Sequence, residues 1–199
     1  MPTRRDFLRG TIRTGAGLDF LPCASGAVPT QSTGALVNDI HSQLNETRVD
    51  RVVAVDSEAA LRRAIKAARR DRKAVSIAGG RHAMGGQQFA SGAVLIDTRP
   101  MQRELRLDAR RGIVEADAGI QWPELVERLI AMQKGRARQW GIVQKQTGAD
   151  RLTLGGALGA NIHGRGLKLR PFIGDVEAFS LGGRNPFGLI ISTRKSGSN

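Results

Sequence analysis

Two glycine doublets in residues 76–89, Ser-Ile-Ala-Gly-Gly-Arg-His-Ala-Met-Gly-Gly-Gln-Gln-Phe, constrain this chain more than any other stretch. An apolar, β-prone run ending at Ala78 stops at Gly79 and Gly80, and Gly85 and Gly86 close the segment with His82 between the doublets. The pattern predicts a strand that leaves its sheet as a tight loop. Glycine costs backbone entropy but permits positive φ and close approach of other atoms, so this loop is expected to touch something with its main chain. N–H groups released from a ladder can form an anion-binding nest suited to a diphosphate. A glycine-rich hairpin turn accounts for the same residues and stays open at this point.

A second segment, residues 147–164, reads Thr-Gly-Ala-Asp-Arg-Leu-Thr-Leu-Gly-Gly-Ala-Leu-Gly-Ala-Asn-Ile-His-Gly. Gly155, Gly156 and Gly159 recur at about one helical turn, and each costs roughly 1 kcal/mol relative to alanine inside a helix. A stripe without side chains allows a flat ring or a diphosphate to approach, with helix N-terminal amides directed at negative charge. Tight packing against a neighbouring strand is the alternative.

Taken together, the two segments resemble the vanillyl-alcohol oxidase and p-cresol methylhydroxylase flavoproteins, whose FAD-binding domain is called PCMH-type. Gly-Arg-His-Ala-Met-Gly-Gly-Gln, residues 80–87, is similar to their pyrophosphate loop. In subgroups such as cytokinin dehydrogenases and sugar or alditol oxidases this loop reads Gly-His-Ser, and its histidine carries the flavin covalently. His82 matches that histidine and Ala83 replaces the serine. Leu-Thr-Leu-Gly-Gly, continued to His163-Gly164, is similar to the segment that lines the FAD pyrophosphate and flavin edge in the aldonolactone-oxidase and decaprenylphosphoryl-ribose-oxidase branches.

The resemblance implies FAD as cofactor, held by Ala78, Gly79, Gly80, Arg81, His82, Ala83, Met84, Gly86, Gln87, Gly148, Thr153, Gly155, Gly156, Gly159, Asn161 and His163. His82 is the implied covalent flavin anchor, while the catalytic residues stay unknown. His163, taken alone, also fits a hydrogen-bonded core histidine. The implied fold is α+β: a PCMH-type domain of two α/β lobes over residues 51–181, the second lobe incomplete. The implied reaction is oxidation of an alcohol, lactone or amine-type small-molecule substrate by hydride transfer to the flavin. Residues 182–199 read as a short divergent tail with the substrate domain absent, so FAD binding without catalysis is a second reading.

Composition limits the other options. The 199 residues carry a formal charge of +13, which raises polyanion binding as a third reading. The cations are scattered, tyrosine is absent and aromatics make up 4%, so stacking platforms for nucleic acid are poorly supplied and no nucleic-acid partner is expected. A single cysteine, Cys23, rules out an internal disulfide framework and a cysteine-based zinc site. His41, His82 and His163 lack ligand spacing, so no metal is expected.

The N-terminus, with Arg4-Arg5-Asp6-Phe7-Leu8, resembles a twin-arginine export signal over residues 1–28. That route implies a periplasmic or exported protein; an ordinary basic N-terminus implies a cytoplasmic one. Arg13 and Asp19 interrupt the expected apolar run, and no stretch is long enough for a stable membrane span. Residues 29–50 read as a linker or loosely held arm. Beyond it, a strand at Val52-Val53-Ala54-Val55 precedes a helix from Glu58 to Arg70, capped by Ser57 and buried through Ala60, Leu61, Ala64, Ile65 and Ala68. Further strands are expected at 73–78, 94–97 and 176–181, a hairpin around Ala109-Arg110-Arg111-Gly112, and a helix opening at Trp122-Pro123, with Trp122 as a packing residue.

Overall fold

The computed structural model describes residues 34–145, 149–163 and 171–179, with residues 189–195 as backbone only. The arginine-rich N-terminal motif, Cys23, Gly148 and most of the divergent tail lie outside the described residues.

Two short strands, β1 (Leu36–Val37) and β2 (Thr47–Arg48), form an antiparallel hairpin. The chain continues through β3 (Arg51–Ala54), α1 (Glu58–Arg70), β4 (Val75–Ala78) and β5 (Val94–Asp97). These three strands make a parallel sheet in the order β3-β5-β4. Ser57 caps α1 as expected, its hydroxyl oxygen accepting the Ala60 N–H at 3.3 Å. Leu61, Ala64 and Ala68 are buried, whereas Ile65 stands at the margin of that stripe, 43% exposed.

Every residue of β5 is buried, and its alternating side chains serve two cores. Ile96 packs with Val55, Leu61, Ala64 and Met101 on the α1 side. Leu95 packs with Val37, Val49 and Ala78 on the other. A parallel sheet covered on both faces explains the uninterrupted Val-Leu-Ile run of β5.

The second face is covered by residues that composition assigns to a linker. From residue 34 onward this stretch is a packed hairpin, with Val49 fully buried and the Val49 and Asp50 N–H groups donating to Ala35 (2.9 Å) and Ala93 (2.8 Å). Its polar residues close the turn. The Asp39 carboxylate accepts the N–H groups of His41, Ser42 and Gln43, the Ser42 hydroxyl and the Asn45 amide. Burial pushes the Asp39 carboxyl up, but the bonds from Asn45, Ser42 and the turn backbone outweigh it and hold it well below the usual carboxylate range.

The second lobe is built from β6 (Leu105–Asp108), β7 (Ile113–Ala116), α2 (Trp122–Met132), β8 (Trp140–Ile142), α3 (Leu154–Gly159), β9 (Val176–Phe179) and β10 (Leu189–Lys195). Its antiparallel sheet runs β6-β7-β10-β8, with β9 also paired to β10. The β6–β7 hairpin turns where the sequence predicts: Asp108 accepts the N–H groups of Arg110 and Arg111, and Gly112 supplies the positive φ of 69°. Trp122, Leu125 and Leu129 of α2 pack with Val114, Ala116, Leu154, Ala157 and Phe172. Trp122 is a packing residue, its ring meeting Phe172 edge-on at 5.4 Å. The architecture is therefore the two-lobed α+β arrangement expected from the sequence. Among the described residues no helix is long and apolar enough to cross a membrane.

Candidate cofactor site

Strand β4 ends at buried Ala78, in register with Asp97 of β5. The Ala78 carbonyl accepts the Thr98 N–H (3.0 Å) and hydroxyl (3.2 Å), and the next residues leave the carboxyl edge of the sheet. That edge is where ligands of open α/β sheets bind.

The loop runs directly into the second glycine segment. A Cβ at Gly79 would stand 2.1 Å from the Thr153 hydroxyl oxygen, and one at Gly80 would stand 2.2 Å from the Arg151 carbonyl oxygen. Real Cβ atoms do not approach that closely, so the two segments meet through bare backbone. Thr153 is buried and caps α3, accepting the Gly156 N–H at 3.2 Å. The Leu154 and Gly155 N–H groups donate to Ile120 and Ala118, and the Gln121 amide donates to the Arg151 carbonyl at 2.5 Å. Gln121 is a contributor that the sequence did not signal.

The glycines of α3 differ from one another. A Cβ at Gly155 would press on Ala118 at 2.9 Å, so that glycine serves packing against the turn before α2. Gly156 and Gly159 are exposed; beyond the capping threonine's oxygen beside Gly156, a Cβ at either would meet nothing within 4 Å among the described residues. Among the described residues nothing covers this side-chain-free stripe. Asn161 ends the helix with φ 46°, its N–H donating to Leu158 while the Ile162 N–H donates to Ala157, which is the Schellman pattern.

In the first loop, Arg81 adopts φ 57° and its guanidinium lies 3.8 Å from the Asp97 carboxylate. Arg99 donates to both Asp97 oxygens. Burial, then the charge of Arg99, lowers the Arg81 pKa, with Asp97 pulling the other way. A guanidinium nevertheless stays cationic. Its Nε is buried without a hydrogen-bond partner, and the N–H groups of Gly80, Arg81, His82, Ala83 and Met84 donate to no backbone carbonyl among the described residues.

The Nδ1 of His82 lies 2.7 Å from the Nε2 of His41, which comes from the β1–β2 turn. The His82 Nε2 is buried and makes no well-aligned hydrogen bond, although the nearby Arg151 carbonyl favours the charged ring. Burial, followed by the neighbouring His41, outweighs that effect and depresses the His82 pKa.

Gly79, Gly80, Arg81, His82 and Thr153 are thus gathered at one place, with Gly156 and Gly159 on the helix that Thr153 caps. The distal half of the loop turns toward the hairpin instead. Gly86 (φ 70°) leaves only 2.9 Å between a Cβ and that of Asn45, the Asn45 amide donates to the Met84 carbonyl at 2.7 Å, and the Met84 and Gln87 side chains are exposed. Ala83 contributes its carbonyl to the Gly86 N–H and the Gln88 amide. His163 is exposed and bridges to Pro171. The Arg81 Nε without a hydrogen bond, loop N–H groups that meet no backbone carbonyl among the described residues, and a bare helical stripe fit a diphosphate-bearing cofactor with a flat ring.

The profile of the family described as FAD binding domain matches residues 49–180. The chain belongs to this family. It is a PCMH-type FAD-binding domain, and FAD is its cofactor. Among solved structures, two crystal forms of alkyldihydroxyacetonephosphate synthase are similar to it. One has TM-score 0.61 and 18% identity over 74% of this chain and 33% of that one; the other has TM-score 0.60 and 18% identity over 74% and 32%. The 6-hydroxy-D-nicotine oxidase of Arthrobacter nicotinovorans gives TM-score 0.40 and 17% identity over 53% of this chain and 25% of that one. No curated protein sequence matches. The FAD-binding domain chain spans about a third of the length of the synthase.

Proposed function

We propose that the chain is the cofactor-holding part of an FAD-dependent oxidoreductase acting on an alcohol, lactone or amine-type substrate, with residues 78–84 and the Gly156 and Gly159 face of α3 as the FAD cradle. The observation that carries this reading is the contact of Gly79 with Thr153 and of Gly80 with Arg151, which joins two glycine segments far apart in the sequence. Bound FAD supplies a flavin ring able to accept a hydride.

The chain's own residues do the holding. The loop N–H groups and the unpaired Nε of Arg81 are the diphosphate donors, a cation and a nest acting together. The exposed backbone at Gly156 and Gly159 would admit a planar ring without a side chain intervening. His82 is the candidate attachment point for the flavin, its pKa depressed by burial and by His41, and the spectrum below separates attachment from reversible binding.

The test is a visible absorbance spectrum of purified protein before and after acid precipitation, repeated for His82→Ala. Flavin that stays with the precipitate in wild type and leaves it in the variant supports attachment through His82. Flavin that leaves in both supports a non-covalent site. Protein that neither contains nor takes up FAD overturns the proposed cradle.

A further inference from the structure

Four hydrogen bonds fasten the β1–β2 turn to the cofactor loop, the longest from the Ser42 hydroxyl to the Met84 carbonyl at 3.5 Å, and the other three are closer. The Ile40 N–H donates to the Arg81 carbonyl at 3.1 Å, the Asn45 amide donates to the Met84 carbonyl at 2.7 Å, and the His41 and His82 rings meet at 2.7 Å between nitrogens. The first two are neutral amide bonds. The third can change, because an imidazole pair bonds only when one ring nitrogen is a donor and the facing one is bare. The turn that carries His41 is itself fixed by the Asp39 carboxylate and lies outside the matched residues 49–180.

We propose that His41 is a positioning residue for the cofactor loop: through one N–H···N bond it holds His82 in place, and FAD retention therefore weakens when both rings take up a proton. The proposal rests on the FAD cradle described above. With both rings protonated there is no acceptor between them and two like charges face each other. The charged groups on the surrounding elements do not cancel this repulsion. Asp39 is occupied by its own turn, Asp97 by Arg99 and Arg81, and Glu124 by Arg151.

The sign follows from linkage. A histidine whose pKa is lower in the folded protein contributes its full stabilisation above the unfolded value, and that contribution disappears as pH falls through the folded value. The His82 pKa is lowered by burial and then by His41, so the bond is complete in neutral solution and lost on acidification. Positioning by His41 thus predicts a pH profile, which a purely structural contact would not produce.

The experiment measures FAD affinity of the full chain from about pH 7.5 down to the lowest pH at which the fold persists, for wild type, His41→Gln and His41→Ala. Wild type is expected to lose about tenfold in affinity over that range, the value of one hydrogen bond. His41→Gln, whose amide bonds without titrating, should bind as wild type does at the upper pH and lose most of the acid dependence. His41→Ala should start about tenfold weaker and vary little with pH. A wild-type profile retained in either variant overturns the proposal. Ring ¹⁵N resonances of cofactor-free protein separate it from the FAD reading: if no variant or wild type binds FAD, the cradle fails, while the imidazole bond stands if His41→Ala shifts the His82 titration upward and falls if that titration is unchanged.

Discussion

Gly79 lies against Thr153 so closely that a methyl group on its α-carbon would stand 2.1 Å from the threonine hydroxyl oxygen. The threonine cannot give way cheaply, because it is buried, caps α3, and sits beside the Leu154 N–H bond to Ile120. Gly79→Ala is therefore expected to destabilise the domain by about 1–3 kcal/mol, the usual cost of overpacking, and to weaken FAD binding with it. Thermal melting measures the first effect and flavin titration the second. Adding Thr153→Ala should recover part of the loss, because the two sites share one contact.

Gly159 makes the opposite test. With nothing among the described residues within 4 Å of an added Cβ, Gly159→Ala should stabilise the cofactor-free domain by up to about 1 kcal/mol, through helix propensity alone. Its methyl group would nevertheless stand on the stripe proposed to meet the flavin. The expected result is a higher melting temperature together with weaker FAD binding. Unchanged binding would remove α3 from the cradle.

The buried Asp97 links the two arginines beside the loop. Burial pushes its carboxyl up, but the bonds and charge of Arg99, with Arg81 behind them, leave it below the usual carboxylate value. A depressed carboxylate stabilises the fold above its unfolded pKa, and the contribution is lost as pH falls through the folded one. Asp97→Asn should cost about 1–3 kcal/mol at neutral pH, since the arginine it leaves behind, Arg99, is half exposed, and should flatten the acid side of the stability profile. Urea unfolding at a series of pH values reads both.

The Thr153 cap offers a graded series. Thr153→Ser keeps the oxygen that accepts the Gly156 N–H, whereas Thr153→Ala removes it and should cost about 1 kcal/mol. Denaturant unfolding of the two variants separates the cap from the packing of the methyl group.

These residues also show which parts of the molecule were readable in advance. Ser57 before a 3.6-residue apolar pattern, Asp108 before a turn glycine, and Pro123 behind Trp122 are local signals, and each element formed where they point. The hairpin at 34–49 had no such signal, since strands of two residues have no period to detect and its Asn, Asp and Ser residues look like a linker. Only the structure shows those side chains closing a turn over the cofactor loop. The glycines illustrate the same limit. Gly155 packs on Ala118, Gly86 on Asn45, and Gly79 on Thr153, while nothing among the described residues covers Gly159, yet in the sequence all four are the same letter. The position of His41 against His82 depends on long-range packing and could not be read from spacing.

The central claim is that two glycine segments form a single FAD cradle, and titration of the purified cofactor-free chain with FAD, followed by flavin fluorescence and absorbance, tests it most directly. The account predicts saturable, stoichiometric binding that Gly79→Ala and Gly159→Ala each weaken, one from either segment. Binding that is absent, or that survives both substitutions unchanged in a folded protein, would contradict it.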